Sequence, residues 1–119
     1  IPVQQELELL MTSFLDEGRW SSITLFSADG LPMASVGESG EYSQDRLLEF
    51  AIAQIDIMKM LESELPVTDI VLHASKDWML VLRYFEGWDE NMILAAVVNR
   101  KKGYRRAMNQ IIRRIQKAF

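Results

Sequence analysis

The spacing of apolar residues along the chain alternates between helical and strand-like periods. Apolar residues recur at helical spacing from about residue 3 to 17, and Gly18 follows as a stop signal. A longer helical pattern runs from about 43 to 64, with Ser43 as a suitable N-cap and Pro66 just beyond its end. A last helix is predicted near the C-terminus. Its buried stripe consists of Tyr104, Ala107, Met108, Ile111, Ile112 and Ile115.

The strand-like segments begin with a hairpin over Ile23–Ser35. Asp29-Gly30 between two apolar runs predicts a two-residue type I′ turn, in which both central residues have positive φ. Pro32 has no N–H, so we expect the second strand at an edge of the sheet. Three more strands are predicted over Thr68–Ser75, Trp78–Glu86 and Asn91–Val98, with Lys76-Asp77 and Gly87–Glu90 as the connections between them.

The predicted order of elements is α-β-β-α-β-β-β-α, within a single domain covering 1–119. The strands are joined by short connections, which favour antiparallel pairing because parallel strands need a long crossover. The run that starts at Trp78 is apolar on both faces apart from Arg83, which is typical of an interior strand with helices on both sides. The sequence therefore indicates a layered α/β fold.

The composition is that of a globular protein. Hydrophobic residues make up 49% of the chain and charged residues 25%, and no apolar run has the length of a membrane helix. The chain contains no cysteine, which excludes disulfides, thiol catalysis and cysteine-bound zinc. No signal peptide is predicted, and the start at Ile1 suggests further residues upstream. We expect a cytoplasmic protein without a membrane span.

With this order of elements, the hairpin Phe26-Ser-Ala-Asp-Gly-Leu-Pro-Met-Ala-Ser35, the apolar helix 47–61 and the strand 93–98 resemble the roadblock/dynein light chain family. The resemblance covers nearly the whole chain. It implies a five-stranded antiparallel sheet with the middle helix on one face and the two terminal helices on the other. Family members dimerise through the middle helix and third strand. They act as non-enzymatic regulators or platforms for small Ras-like GTPases, or as adaptors, and a bacterial member activates a polarity GTPase without supplying a catalytic side chain.

The apolar surface of the middle helix predicts a dimer independently of the family resemblance. Apolar residues cover well over half of its circumference, more than one sheet can bury, and a second helix is the simplest cover. The next strand contains no proline, glycine or lysine that would protect an exposed edge. The alternative is a helix buried between two layers of one monomer. The residues predicted for self-association are Ile52, Ile55, Asp56, Lys59, Met60, Ile70 and Leu72.

Charge is divided unevenly along the chain. Residues 1–90 carry 17 acidic and 5 basic residues, whereas residues 91–119 carry 8 basic and no acidic ones, within a net charge of −4. The helix dipole accounts for cations near the end of the last helix but not for those near its start. One interpretation is a solvated face, and the other is a docking surface for an acidic protein or an anionic membrane. Nucleic acid is not expected, since the chain is acidic overall and lacks aromatics among its basic residues. The candidate docking residues are Trp88, Arg100, Lys101, Lys102, Arg105 and Arg106.

No catalytic constellation emerges. His73 is the only histidine and lies within a predicted strand, where an edge or interface position is expected rather than a triad or metal site. Arg100–Gly103 lacks the glycine spacing of a phosphate-binding loop. Trp88 stands in a polar loop, where it either anchors a partner or folds back onto the sheet.

These observations predict a homodimeric, non-enzymatic regulator or scaffold for a small Ras-like GTPase or another acidic protein, with no cofactor. Two alternatives stay open: a small-molecule sensor of the profilin or PAS-like kind, in which the apolar helix closes over a pocket, and a structural adaptor that does not depend on nucleotide.

Overall fold

The computed structural model describes residues 3–15, 20–27, 29–37, 46, 49–54, 60, 68–73, 77–99 and 101–118. The elements are helix α1 (Val3–Leu15), strands β1 (Trp20–Ser27), β2 (Pro32–Gly37), β3 (Asp69–His73), β4 (Trp78–Gly87) and β5 (Glu90–Asn99), and helix α3 (Arg105–Ala118). Helix α2 lies between β2 and β3 and is described at residues 46, 49–54 and 60. The predicted element order is confirmed. Gly18, the Ser43 cap and Lys76 lie outside the described residues.

All strand pairs are antiparallel, and the sheet has the order β2-β1-β5-β4-β3. Strand β2 is an edge, as Pro32 predicted, and β3 is the other edge of the described sheet. Strand β5 is central, and seven consecutive residues of it, Met92–Val98, are buried. β4 is interior and apolar on both faces, as its sequence predicted.

Apolar side chains fill two layers, one on each face of the sheet. The first layer contains α1 and α3. Leu7, Met11 and Phe14 of α1 and the buried stripe of α3 pack together against alternate residues of β1, β4 and β5. All six residues of the predicted stripe are buried. The second layer holds Ala51 and Phe50 of α2 against the other face. The terminal helices therefore cover one face and α2 the opposite one, which confirms the predicted fold.

The prediction of a type I′ turn at Asp29-Gly30 is wrong. Gly30 has φ +94°, but Asp29 is not among the described non-glycine residues with positive φ. Ser27 N donates to Leu31 O at 2.9 Å, and Gly30 N donates to Ser27 O at 3.0 Å. Of the described residues 29 and 30, only Gly30 takes the left-handed conformation, and the pairing register shifts nearby, between Leu25 and Phe26.

Candidate interaction surfaces

Large apolar side chains are exposed on the α2 side of the sheet. Ile52 is 42% exposed, Met60 79% and Leu72 42%. Ile70 is half-buried and packs against the second layer. Four of the seven residues predicted for self-association are thus described, and three of them are exposed. The other three, Ile55, Asp56 and Lys59, lie outside the described residues.

Val71 is a further exposed residue of β3, 38% accessible, that the sequence analysis did not select. Ile70 and Leu72 share the face of α2, since their register partners Leu82 and Leu80 belong to the second layer. Val71 is paired with Val81 of the first layer and therefore points to the opposite face. The apolar exposure of β3 extends to both faces of the sheet, a pattern that the alternation of strand side chains could have indicated.

A cluster of polar side chains ties β3 to its neighbours on the α1–α3 face. Arg83 makes a bidentate contact with Asp69, with Nε to Oδ1 at 2.5 Å and Nη2 to Oδ2 at 2.8 Å. Arg83 Nη1 also donates to Asn109 Oδ1 on α3. Both members of the ion pair are about 15% exposed, so the pair is largely shielded from water. The cluster fixes the edge strand to β4 and α3, and sequence reasoning missed it because its members are distant in sequence.

Tyr104 extends this cluster towards the basic surface. Its hydroxyl donates to Asp69 Oδ2 at 3.4 Å. A hydrogen bond with Tyr104 raises the pKa of the Arg105 guanidinium.

The basic residues around α3 form an exposed surface, which we call the basic face. Its described members are Lys101, Lys102, Arg105, Arg106, Arg113, Arg114 and Lys117. Lys101 lies 3.9 Å from Asp77, and both side chains are well exposed, so this pair is weak. Arg114 is placed over the ring of Phe14, 5.7 Å from its centroid. Arg100 lies outside the described residues. Four of the five cations predicted for docking are thus described and exposed, and Arg113, Arg114 and Lys117 are exposed on the rest of α3.

Trp88 folds back onto the protein rather than standing free. It packs against the first layer, and its Nε1 donates to the Ile115 carbonyl of α3 at 3.1 Å. Trp88 and Asp89 connect β4 to β5 with φ of 55° and 61°. Positive φ at both central residues marks a type I′ turn, so the molecule has this turn at Trp88-Asp89 and not at Asp29-Gly30. Trp88 remains half-buried, next to Glu86, Asp89 and Gln116.

Titratable residues do not converge on a reaction centre in the described part of the chain. His73 is exposed at the end of edge strand β3, the position predicted for it. The described residues include no cluster of three or more acidic or histidine side chains that could hold a metal ion. No helix among the described segments is long and apolar enough to cross a membrane.

A comparison with protein-family models found no match, and neither did a comparison with curated proteins. Solved structures match along nearly the whole chain. MglB of Myxococcus xanthus superimposes with a TM-score of 0.79 at 11% identity, over 100% of this chain and 91% of that one. A roadblock/LC7 domain from Streptomyces avermitilis gives 0.70 at 17% identity, over 93% and 92%. A structure described as MglB with a tetrameric arrangement gives 0.62 at 17% identity, over 97% and 85%.

At these identities the likeness establishes architecture. The five-stranded sheet, the separation of α2 from α1 and α3, and the match over complete domains agree with the resemblance that the sequence carries. The chain therefore has the roadblock/LC7 fold.

Proposed function

We propose that this chain is a non-enzymatic regulator or scaffold for a small Ras-like GTPase, and that it acts as a homodimer in the cytoplasm. The observation that carries the proposal is the match to MglB over the full length of this chain. The resemblance in sequence to roadblock domains implies the same class of function. In this proposal the function lies in interaction surfaces and not in a reaction centre.

The dimer part of the proposal is supported by the apolar exposure of α2 and β3. Ile52, Met60 and Leu72 lie on one side of the sheet, and together they would be unfavourable in water on a monomer. A second copy placed across this side would cover all three. Its proposed contact residues also include Ile70, Ile55, Asp56 and Lys59.

The partner part of the proposal is supported by charge. The basic face carries seven described cations, and α3 contributes no carboxylate to offset them. A surface of one sign attracts a partner of the opposite sign and raises the rate of encounter. We therefore place an acidic protein, and specifically an acidic surface of the GTPase, on Lys101, Lys102, Arg105 and Arg106, with Arg100 and Trp88 as further candidates.

The dimer is tested by light scattering on matched variants. Leu72→Asp introduces a charge into the proposed interface, and Leu9→Asp introduces the same charge on α1 at a side chain that is 69% exposed. We expect wild type and Leu9→Asp to have twice the monomer mass at micromolar concentration, and Leu72→Asp to be a monomer. A monomeric wild type would refute the dimer.

The partner is tested by affinity capture with GDP and with a non-hydrolysable GTP analogue. We expect one small GTPase to be enriched in one nucleotide state, and its single-turnover hydrolysis to change when this protein is added. Arg106→Glu should weaken the capture at least tenfold. A control with the same change in charge, Gln5→Glu with Thr12→Glu on α1, should not.

Two other outcomes correspond to the alternative functions. Capture of the same proteins in both nucleotide states would identify a nucleotide-independent adaptor. A small molecule that co-purifies with a monomeric protein would identify a sensor of the profilin or PAS-like kind. Either result would overturn the GTPase proposal.

A further inference from the structure

The cations of the basic face are not equivalent, because some of them already interact with other side chains of the chain. These engaged cations and their partners are Arg105 with Tyr104, Arg114 with Phe14, and Lys101 with Asp77. By contrast, Arg106, Arg113 and Lys117 form no ion pair with a carboxylate of the described residues. These three are the cations of α3 best placed to meet a partner outside the chain.

Arg106, Arg113 and Lys117 lie in a single row along the outer side of α3. Each is two positions from a buried residue of the helix, which is a rotation of about 200° around the helix axis. Their side chains therefore point away from the sheet, within about 40° of one another, and they span about 17 Å of the helix axis. We call these three residues the outer row.

An exposed leucine lies on the outer side of the neighbouring helix α1. Leu9 is 69% exposed and is two positions from both Leu7 and Met11, which are buried, so it also points away from the sheet. The carboxylates of Glu6 and Glu8 belong to positions next to Leu7 and lie on the flanks of α1. Since α1 and α3 cover the same face of the sheet, they share one outer surface, with cations on α3 and an apolar side chain on α1.

We propose that this outer surface docks on an anionic lipid bilayer, with the outer row and Leu9 facing the headgroups. The proposal goes beyond the GTPase partner and does not depend on it. The apolar stripe of α3 stays buried in the first layer, so the helix docks through its charged side and does not insert. The attachment is therefore peripheral and reversible.

Shape and charge favour a bilayer over a folded acidic protein as the occupant. The outer row is the convex side of a helix, so a plane of headgroups can meet all three cations without a matching groove. Each lysine or arginine at an anionic bilayer raises the affinity about fivefold, and three together raise it about 100-fold. Leu9 adds an apolar contact, and interfacial binding increases with both apolar area and attraction to anionic lipid.

Co-sedimentation of the full chain with lipid vesicles tests the proposal. We expect vesicles of phosphatidylcholine with about 30% phosphatidylserine to bind at least about 20-fold more tightly than phosphatidylcholine alone. Raising the salt from about 0.1 M to about 0.5 M should weaken this binding at least about tenfold, because salt screens the charges. The salt series uses the wild-type protein, so it does not depend on the folding of a variant.

Matched variants locate the binding surface. Arg113→Gln should weaken binding to the phosphatidylserine vesicles about fivefold, and Arg113→Gln with Lys117→Gln about 25-fold. Asn91→Glu changes the net charge as much as the single variant does. Asn91 is exposed and lies on the opposite face of the sheet, since Met92 beside it belongs to the first layer. Asn91→Glu should therefore weaken binding less than about twofold.

A fluorophore attached to an introduced cysteine tests the orientation, because the chain has no cysteine of its own. With phosphatidylserine vesicles, we expect the emission of an environment-sensitive dye on Leu9→Cys to shift to shorter wavelength, and that of the same dye on Asn91→Cys to stay unchanged. Equal shifts at the two positions would contradict docking through the outer surface.

Three vesicle results would overturn the proposal: no binding, equal binding to the two vesicle types, or equal losses for Arg113→Gln and Asn91→Glu. If wild type does not bind vesicles but the double variant loses capture of an acidic protein, the outer row belongs to a protein partner. The GTPase proposal is tested separately, by capture in the two nucleotide states, and stands or falls independently of the vesicles.

Discussion

The indole Nε1 of Trp88 donates a hydrogen bond to the carbonyl oxygen of Ile115 at 3.1 Å and so joins the β4–β5 turn to the last turn of α3. The final four carbonyls of a helix have no partner within the helix, and Trp88 supplies one. Gln116 adds a second link, from its Nε2 to Glu86 O at 2.7 Å. These contacts explain why a bulky residue is held at φ 55°, a conformation that is unfavourable for it.

The two turn residues should respond in opposite ways to glycine. Asp89→Gly relieves a positive φ without removing a contact of the first layer, and we expect it to stabilise the protein by about 1 kcal/mol. Trp88→Gly relieves the same kind of strain but loses the indole packing and its hydrogen bond, and should destabilise by about 2 kcal/mol or more. Thermal unfolding of both variants measures the difference. Equal effects would mean that the indole contributes nothing to α3.

The Arg83–Asp69 pair should show strong coupling in a double-mutant cycle. Arg83→Met leaves a shielded carboxylate without its partner, and we expect a loss of about 2–3 kcal/mol in the free energy of unfolding. Adding Asp69→Asn should recover part of that loss, since the unpaired charge is removed. Lys101→Met breaks the exposed pair with Asp77 and serves as the control, with an expected change within about 0.5 kcal/mol. Urea denaturation of the wild type, the two single variants and the double variant gives the free energies of unfolding for the cycle. A loss in the double variant equal to the sum of the two single losses would contradict the coupling.

Stability should fall at alkaline pH because of Tyr84. Burial raises the pKa of Tyr84 to about 12, against an ordinary 10.0, and its hydroxyl donates to the Ala51 carbonyl of α2 at 2.9 Å. A raised pKa in the folded state favours the neutral form, so this contribution is complete below pH 10 and is lost as the pH rises from 10 to 12. Tyr84→Phe should cost about 1 kcal/mol at pH 7 and remove this part of the alkaline loss. Denaturant titrations at pH 8 and 11 provide the measurement.

Gly37 should not tolerate a side chain. Its φ is +80°, and a Cβ there would lie 2.3 Å from the Ser21 backbone oxygen, so the β1–β2 edge would have to shift. We expect Gly37→Ala to destabilise by about 2–3 kcal/mol. Gly103 is the matched control: nothing lies within 4 Å of a Cβ at that position and its φ is not positive. Gly103→Ala should be neutral or slightly stabilising in thermal unfolding.

The sequence was informative where periodicity alone decides the structure. The α3 stripe could be read at single-residue accuracy because one helix face packs on one layer, and Pro32 identified an edge because a missing N–H excludes an interior position. The turns were less predictable. Asp29-Gly30 has the residues of a type I′ turn and is not one, whereas Trp88-Asp89 adopts positive φ because the contact of Trp88 with α3 offsets the local strain.

The candidate interaction surfaces were likewise only partly predictable from the sequence. Exposure of Ile52, Met60 and Leu72 followed from a helix and a strand with more apolar residues than one sheet can bury. The hydrogen-bonded ion pair between Arg83 and Asp69 could not be predicted in this way, because 14 residues separate the two and only the β3–β4 register brings them together. Val71 was passed over although the alternation of strand side chains places it on the face opposite Ile70 and Leu72.

The two borders of the sheet are not equivalent. β2 begins with Pro32, which cannot donate to a further strand, and ends at Gly37 in a left-handed conformation, whereas the five residues of β3 carry no such obstacle. A strand that pairs with its own copy leaves no open edge on that side of the sheet in either molecule. In the proposed homodimer, strand addition at β3 would therefore be limited to two chains, and Pro32 disfavours strand addition at the opposite border.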